Sequence, residues 1–296
     1  MTPFRPNRAR GLALMIGAGL CWSTGGLLVR SAETTEGWEI VFWRSLFMVV
    51  SLTMTLLVWH RGRTATKFAA VGRWGVLTGC FLALTFFFYI LSITRTTVAN
   101  TLVIMSLAPL IAAFMGWIVL RERIPGRTWA AMAAALAGMI LMFADSLNGD
   151  GAIGMLIALG VPLAFTANVM ALRRNSGHID MVPTVVIAGL ISMALALPFA
   201  WPLTASVRDI TVLAVMGVVQ LGLGCMLMTL AARHLRAAEI GLLSLLETTL
   251  GPVWVWLWIG ERPSDWALIG GLVVVGALAL DALFGLVRER RTAVAD

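Results

Sequence analysis

Three ionisable side chains interrupt stretches of this sequence that are otherwise too apolar to hold charge: Arg44, Glu247 and Asp281. Setting such a group in hydrocarbon costs roughly 2.5–3.5 kcal/mol on insertion scales, so each needs a partner or a task. Glu247 stands about eight residues into its apolar run, on the order of 12 Å from the run's start at about 1.5 Å per residue. That depth is beyond easy reach of water. A carboxyl there can bind a substrate amine, exchange a proton, or pair with a basic residue to lock one conformation; the plainer alternative is a neutral, hydrogen-bonded structural acid. Arg44 lies about five residues inside its run, where a long side chain reaches back to the interface, and a structural role is expected. Its sharper roles are a gating ion pair or recognition of a substrate carboxylate, since a guanidinium presents a planar fork matched to carboxylate oxygens. Asp281, a few residues from Arg288 and Arg290, reads as structural.

Polar and aromatic residues at middle depth are the second chemical signal. Trp22, Thr85, Phe86, Tyr89, Met105, Ser106, Phe165, Thr166, Asn168, Gln220, Ser244 and Thr248 all fall there. A small-molecule site needs a mostly apolar cavity with a few convergent polar groups, and this mix can supply one for an amphipathic solute. Each aromatic taken singly has a commoner role in packing or in anchoring at a membrane interface. That rival is strongest for Tyr89, the chain's one tyrosine. Trp254, Trp256 and Trp258 occupy three azimuths of one helix, so some must face lipid. Pro109, Pro162 and Pro252 each lack a helix donor and are expected to bend their segments, with Pro109 and Pro252 as the natural gates.

The elements that must position these groups follow from composition. Of 296 residues, 59% are hydrophobic and 12% charged, with mean hydropathy +0.91; soluble domains carry about 25% charged residues. A net charge of +7 raises nucleic acid as a partner, but the basic residues sit in short connectors between apolar blocks, and no nucleic-acid surface is expected. Cys21, Cys80 and Cys225 lie inside apolar blocks without CxxC spacing, and His60, His178 and His234 lie in or beside connectors, so neither a disulfide framework nor a metal site is indicated. No cofactor is expected.

Ten apolar runs are read as membrane spans, at about 11–30, 39–59, 73–94, 98–120, 127–144, 152–172, 183–203, 209–231, 239–259 and 265–286. Runs of this length fit helices, because a lipid-exposed backbone must bond within its own segment. The expected fold is therefore an all-α integral membrane protein of ten transmembrane helices. Arg5, Arg8 and Arg10 precede the first run, which is of spanning length and lacks a small-residue cleavage site, so it is taken as a helix and not a leader. The termini and alternate connectors carry seventeen Lys and Arg residues, against four (Arg30, Arg95, Arg208 and Arg262) in the intervening connectors. Positive charge is retained on the cytoplasmic side, so both termini are expected there, in a bacterial-type inner membrane.

A repeat runs through the chain. Ala108-Pro109 and Glu122-Arg123 recur as Glu247-Thr248 and Glu261-Arg262 at a shift of 139 residues, and Ala99 meets Ala238 and Trp117 meets Trp256 at the same shift. Five spans per copy is an odd number, so residues 1–146 and 147–296 are expected to insert in opposite orientations. Inverted repeats are a recurring device of secondary transporters, with substrate held near the midplane between the copies. Leu107-Ala108-Pro109, Leu246-Glu247-Thr248, the two Glu-Arg ends, Trp22 and Arg44 together resemble the drug/metabolite transporter superfamily, specifically its ten-helix EamA-type carriers, over nearly the whole chain. Glu247-Thr248 departs from the Glu-Pro pair of that family. Within it, the text is most similar to bacterial exporters of amino acids, aromatic ones included. The resemblance implies inner-membrane export of neutral and aromatic amino acids without an ATP site, by a carrier expected to be monomeric. Export of other metabolites or drugs is the alternative within the class. No nucleophile with a base, HExxH run or phosphate loop appears in the spans, and they are too apolar for a channel lining. A membrane scaffold is the remaining reading from another class.

Overall fold

The computed structural model describes residues 7–33, 36–60, 64–120, 124–146, 151–174, 181–231, 234–235 and 237–295. Helices α1 (Arg8–Ser23) and α2 (Gly25–Ser31) form the first span, α3 (Gly37–His60) the second and α4 (Thr64–Ile93) the third. The fourth is split into α5 (Val98–Met105) and α6 (Ala108–Leu120); α7 (Gly126–Ser146), α8 (Gly151–Arg174) and α9 (Met181–Ala200) follow. The eighth span joins α10 (Val207–Val215), a π-helical segment (Met216–Leu223) and α11 (Gly224–Ala231), and α12 (Ala237–Ile259) and α13 (Asp265–Ala295) complete the chain. Among the described residues there is no strand. Eight helical stretches are long and apolar enough to cross a membrane, and two shorter apolar helices, Gly126–Leu141 and Leu243–Ile259, stand where the fifth and ninth spans are expected. Leu272, Phe199 and Leu257, 74%, 65% and 64% exposed, belong to a broad apolar exterior that a water-soluble surface would not sustain. This is a multi-pass membrane protein.

Four spans depart from the continuous helices expected of them, the eighth through its π-helical segment. The first breaks at Thr24, inside the run Ser23-Thr24-Gly25-Gly26, four poor helix formers in succession. Ser23 donates its hydroxyl to the Leu20 carbonyl at 2.8 Å and Thr24 to the Cys21 carbonyl at 2.7 Å, side-chain bonds that compete with the helix ladder. The fourth breaks after Met105, where Ser106 donates to the Val103 carbonyl at 2.6 Å. Pro109 is then the second residue of α6, a position whose N–H has no intrahelical partner, so it starts a helix and does not bend one. Pro252 lies within a continuous α12. The third span gains a helical stretch before residue 73, set off by Gly72 at φ 62, a left-handed conformation natural only to glycine.

The spans pack in pairs with a regular relation. The third lies on the sixth, as the eighth lies on the first; the third on the seventh, as the eighth on the second; the first on the ninth, as the sixth on the fourth. The second and seventh, fourth and ninth, and fifth and tenth face one another. Advancing every span by five exchanges the members of the first three sets and returns each of the last to itself. Small residues allow the closest approaches, as expected where apolar lipid leaves packing as the main attraction between helices. A β-carbon on Gly138 of α7 would lie 2.6 Å from the Gly270 carbonyl oxygen and 2.9 Å from Val274 of α13. Gly138→Ala is therefore expected to cost about 1–3 kcal/mol by overpacking, read as a lower melting temperature in detergent; an unchanged melt would show that α7 and α13 separate freely.

The face opposite the two termini is cross-tied. Arg30 pairs with Glu261 at 2.7 Å, and Glu261 also accepts from the Val98 N–H at 2.9 Å. Glu39, 1% exposed at the start of the second span, accepts from the backbone N–H groups of Thr204 and Ala205 at 2.8 and 2.7 Å. Arg208 pairs with Glu33, and Asp209 accepts from the Glu33 N–H at 2.7 Å. On the terminal face Asp281 joins α13 to α7, accepting from the Thr128 hydroxyl at 3.0 Å and pairing with Arg127 at 3.3 Å.

Candidate functional site

The break at Thr24 lies where the first, third and eighth spans meet. It places Gly25 at the start of α2, where a β-carbon would lie 2.6 Å from the Tyr89 hydroxyl and 2.9 Å from the Gln220 amide nitrogen. The missing side chain thus makes room for two polar groups from two other spans. Gln220 reaches this point from the π-helical segment, whose wide turn re-aims side chains and is a frequent feature of functional sites. Gly217 in the same segment admits the Arg44 carbonyl oxygen to within 2.5 Å of where its β-carbon would stand. Helix α3 and the eighth span are therefore in contact beside the cluster.

Arg44 points inward. At 1% exposure it is among the largest fully buried side chains, which overturns the expectation that it reaches back to the interface. Its guanidinium lies over two rings, 5.3 Å from the Phe86 centroid and 5.7 Å from that of Tyr89. It donates one long hydrogen bond, 3.4 Å, to the Phe86 carbonyl. Its Nε, the Tyr89 hydroxyl and the Gln220 carbonyl oxygen are buried without a hydrogen-bond partner among the described residues. Buried polar atoms are nearly always paired, so three orphans in one place are a sign of chemistry left open.

Glu247 enters from α12, 8% exposed. Tyr89 lies within electrostatic reach of both Arg44 and Glu247, as does Cys225. Arg44 and Glu247 form no ion pair with each other or with another described residue. The Trp22 indole lies to one side, its nitrogen abutting Gly224 of α11. The cluster thus sets one cation and one carboxyl around a tyrosine, an amide and an indole.

The other residues singled out from the sequence are placed as follows. Met105 packs on the apolar core that contains Tyr89. Thr85, one turn before Tyr89, is half-buried and donates its hydroxyl to the Phe81 carbonyl at 3.1 Å. Ser106 is engaged at the break in the fourth span. Ser244 is half-buried one turn before Glu247. Asn168, 4% exposed, donates to the Thr78 carbonyl at 2.8 Å and so staples α8 to α4, while Phe165 is 41% exposed and turned to the exterior. Tyr89, at 6% exposure, is no interfacial anchor. Of the three alternating tryptophans, Trp256 and Trp258 face outward at 53% and 65% exposure, while Trp254 donates to the Ser23 hydroxyl at 3.0 Å. From the sequence Cys225 is only a cysteine within an apolar block, and Gly25 is not among the candidate site residues. The signal passed over was the Ser-Thr-Gly-Gly run itself.

Comparison with known proteins agrees with this architecture. The profile of the EamA-like transporter family matches twice, over residues 9–144 and 152–281. The "Uncharacterized transporter YwfM" of Bacillus subtilis (strain 168) is 26% identical over 289 residues, covering 94% of this chain and 95% of its own length. The "Uncharacterized transporter YdfC" of the same organism is 25% identical over 216 residues, 69% of each chain. A protein crystal structure at 18% identity superposes with TM-score 0.65 over 94% of this chain and 98% of its own, a likeness of fold.

Proposed function

The chain belongs to the EamA-like transporter family, and from that premise we propose that it exports neutral amino acids, aromatic ones included, by alternating access between two oppositely inserted halves, residues 1–146 and 147–296. The membrane is a bacterial inner membrane, both termini are cytoplasmic, and the working unit is one chain. The observation that carries the reading is the buried cluster of Trp22, Arg44 and Tyr89 from the first half with Gln220 and Glu247 from the second. A carrier's site belongs near the midplane, at the seam between repeats. The exchange of packing partners on advancing five spans supports two equivalent halves, and an odd number of crossings per half makes them antiparallel. The surplus of basic residues in the connectors on the terminal face supports the orientation.

The chemistry of the cluster suits an amphipathic solute. Phe86, Trp22 and Met105 offer apolar area, and the unpaired polar atoms of Arg44, Tyr89 and Gln220 offer a few oriented contacts. Liposomes holding the purified protein and loaded with labelled amino acids should show saturable counterflow of at least one aromatic member. No saturable flux of any amino acid would refute the reading; flux restricted to nucleosides or cationic drugs would move it within the carrier class. Gly25→Ala is expected to lower that flux at least about tenfold, because a β-carbon there forces Tyr89 and Gln220 out of register. A variant that is well expressed and fully active would remove those two residues from the site.

A further inference from the structure

Arg44 is held in a state that the fold alone does not account for. A guanidinium carries five N–H donors; here one is spent on a 3.4 Å contact with the Phe86 carbonyl, and Nε has no acceptor among the described residues. The rings of Phe86 and Tyr89 take up part of the charge, but no described carboxylate closes on it. A buried cation without a counter-ion is costly, so what completes the site is an anion that comes and goes.

The donors around Arg44 define that anion. Tyr89 brings an unpaired hydroxyl, and Gln220 brings an amide nitrogen to the same point beside Gly25. The guanidinium fork and these two groups are all donors, which suits the two oxygens of a carboxylate. We propose that Arg44, Tyr89 and Gln220 form a carboxylate subsite, so that every good substrate of this carrier carries a free carboxylate group. The Gln220 carbonyl oxygen and Glu247 are the acceptors left over, and they receive the ammonium of an α-amino acid. Tyr89 lies within electrostatic reach of both poles, and the side chain of the solute falls against Phe86, Trp22 and Met105. The proposal rests on the carrier reading above and adds to it which group of the solute is obligatory.

Four probes sharing one side chain separate the poles: phenylalanine, 3-phenylpropanoate, phenylalaninamide and phenethylamine. Two measurements are made on the full chain, ligand-induced shift of the melting temperature in detergent and competition with phenylalanine counterflow in liposomes. Phenylalanine and 3-phenylpropanoate are expected to stabilise and compete, with the amide and the amine at least about tenfold weaker, because a site built to bond one group rejects analogues lacking it. In Arg44→Gln the advantage of acid over amide disappears; in Arg44→Lys it shrinks, because the charge stays while the fork is lost. An amide that binds the parent protein as well as the acid overturns the subsite, whether or not either variant folds. So does an Arg44→Gln protein that keeps the preference, and so does a parent protein that neither acid nor amide stabilises. Selective stabilisation by the two acids without flux would uphold the subsite while refuting the carrier reading.

Discussion

Glu247→Gln is expected to abolish the response of net flux to an imposed pH gradient while leaving exchange of labelled for unlabelled solute intact. The expectation follows from where the carboxyl is held. Glu247 is 8% exposed in the middle of an apolar helix and has no ion-pair partner among the described residues. A charge in such a place is expensive, which makes protonation the natural companion of any step that leaves the site empty. Solute exchange requires only that the loaded carrier turn over, so an amide of the same shape still supports it. Net export against a gradient requires a proton to ride the return, and glutamine cannot carry one. A gradient of one pH unit multiplies the attainable accumulation about tenfold per proton moved, so the loss is large and easily measured. Tyr89 and Cys225 are the titratable groups within electrostatic reach of Glu247, and both also feel the charge of Arg44. Unchanged pH dependence in the variant would return Glu247 to a structural role and shift attention to those groups.

The sequence revealed depth but not azimuth. Apolar runs marked ten segments because lipid forces each backbone to satisfy itself over a fixed thickness, and the same reasoning placed Tyr89, Gln220 and Glu247 at middle depth and Arg44 nearer the edge of its run. In a soluble helix the polar stripe would then say which way each side chain faces. Here the exterior is as apolar as the interior, so Phe165, on the outside, and Trp22, in the site, looked alike. Arg44 was misjudged for a related reason. Its distance from the run's end allowed the side chain to reach water, and nothing local showed that Phe86 and Tyr89 of α4 would offer ring faces to hold it inward. The breaks in the helices were more legible than they were taken to be. Ser23-Thr24-Gly25-Gly26 is weak helix text by propensity, and so is Met216–Leu223, with Gly217, Gly222 and two adjacent valines, where the chain turns π-helical and Gly217 packs closely on α3.

Tethering residues 30 and 261 to each other is expected to stop transport, and releasing them to restore it. These positions are where the two halves hold one another on the face away from the termini. The Arg30 guanidinium meets the Glu261 carboxylate at 2.7 Å and donates to the Thr96 carbonyl at 2.8 Å, while the other Glu261 oxygen accepts from the Val98 N–H at 2.9 Å. One ion pair thus joins the first span, the turn before α5 and the end of α12, where Gly260, at φ 80, turns the chain so that Glu261 faces back. With side chains 27% and 22% exposed, the pair is partly screened. Its strength alone is modest, so it can open and close at little cost. If the cluster at Arg44 and Glu247 opens toward this face by separation of the first and ninth spans, Arg30 and Glu261 must part each time. With the three native cysteines replaced by alanine, Arg30→Cys and Glu261→Cys joined by a short reducible bifunctional thiol reagent should reduce flux to under about a tenth of the unlinked double variant, and a reductant should restore it. Full activity in the linked protein would mean that these two spans move as one body, and the opening on this face would then have to run between α3 and α10, across the Glu33, Glu39 and Asp209 contacts.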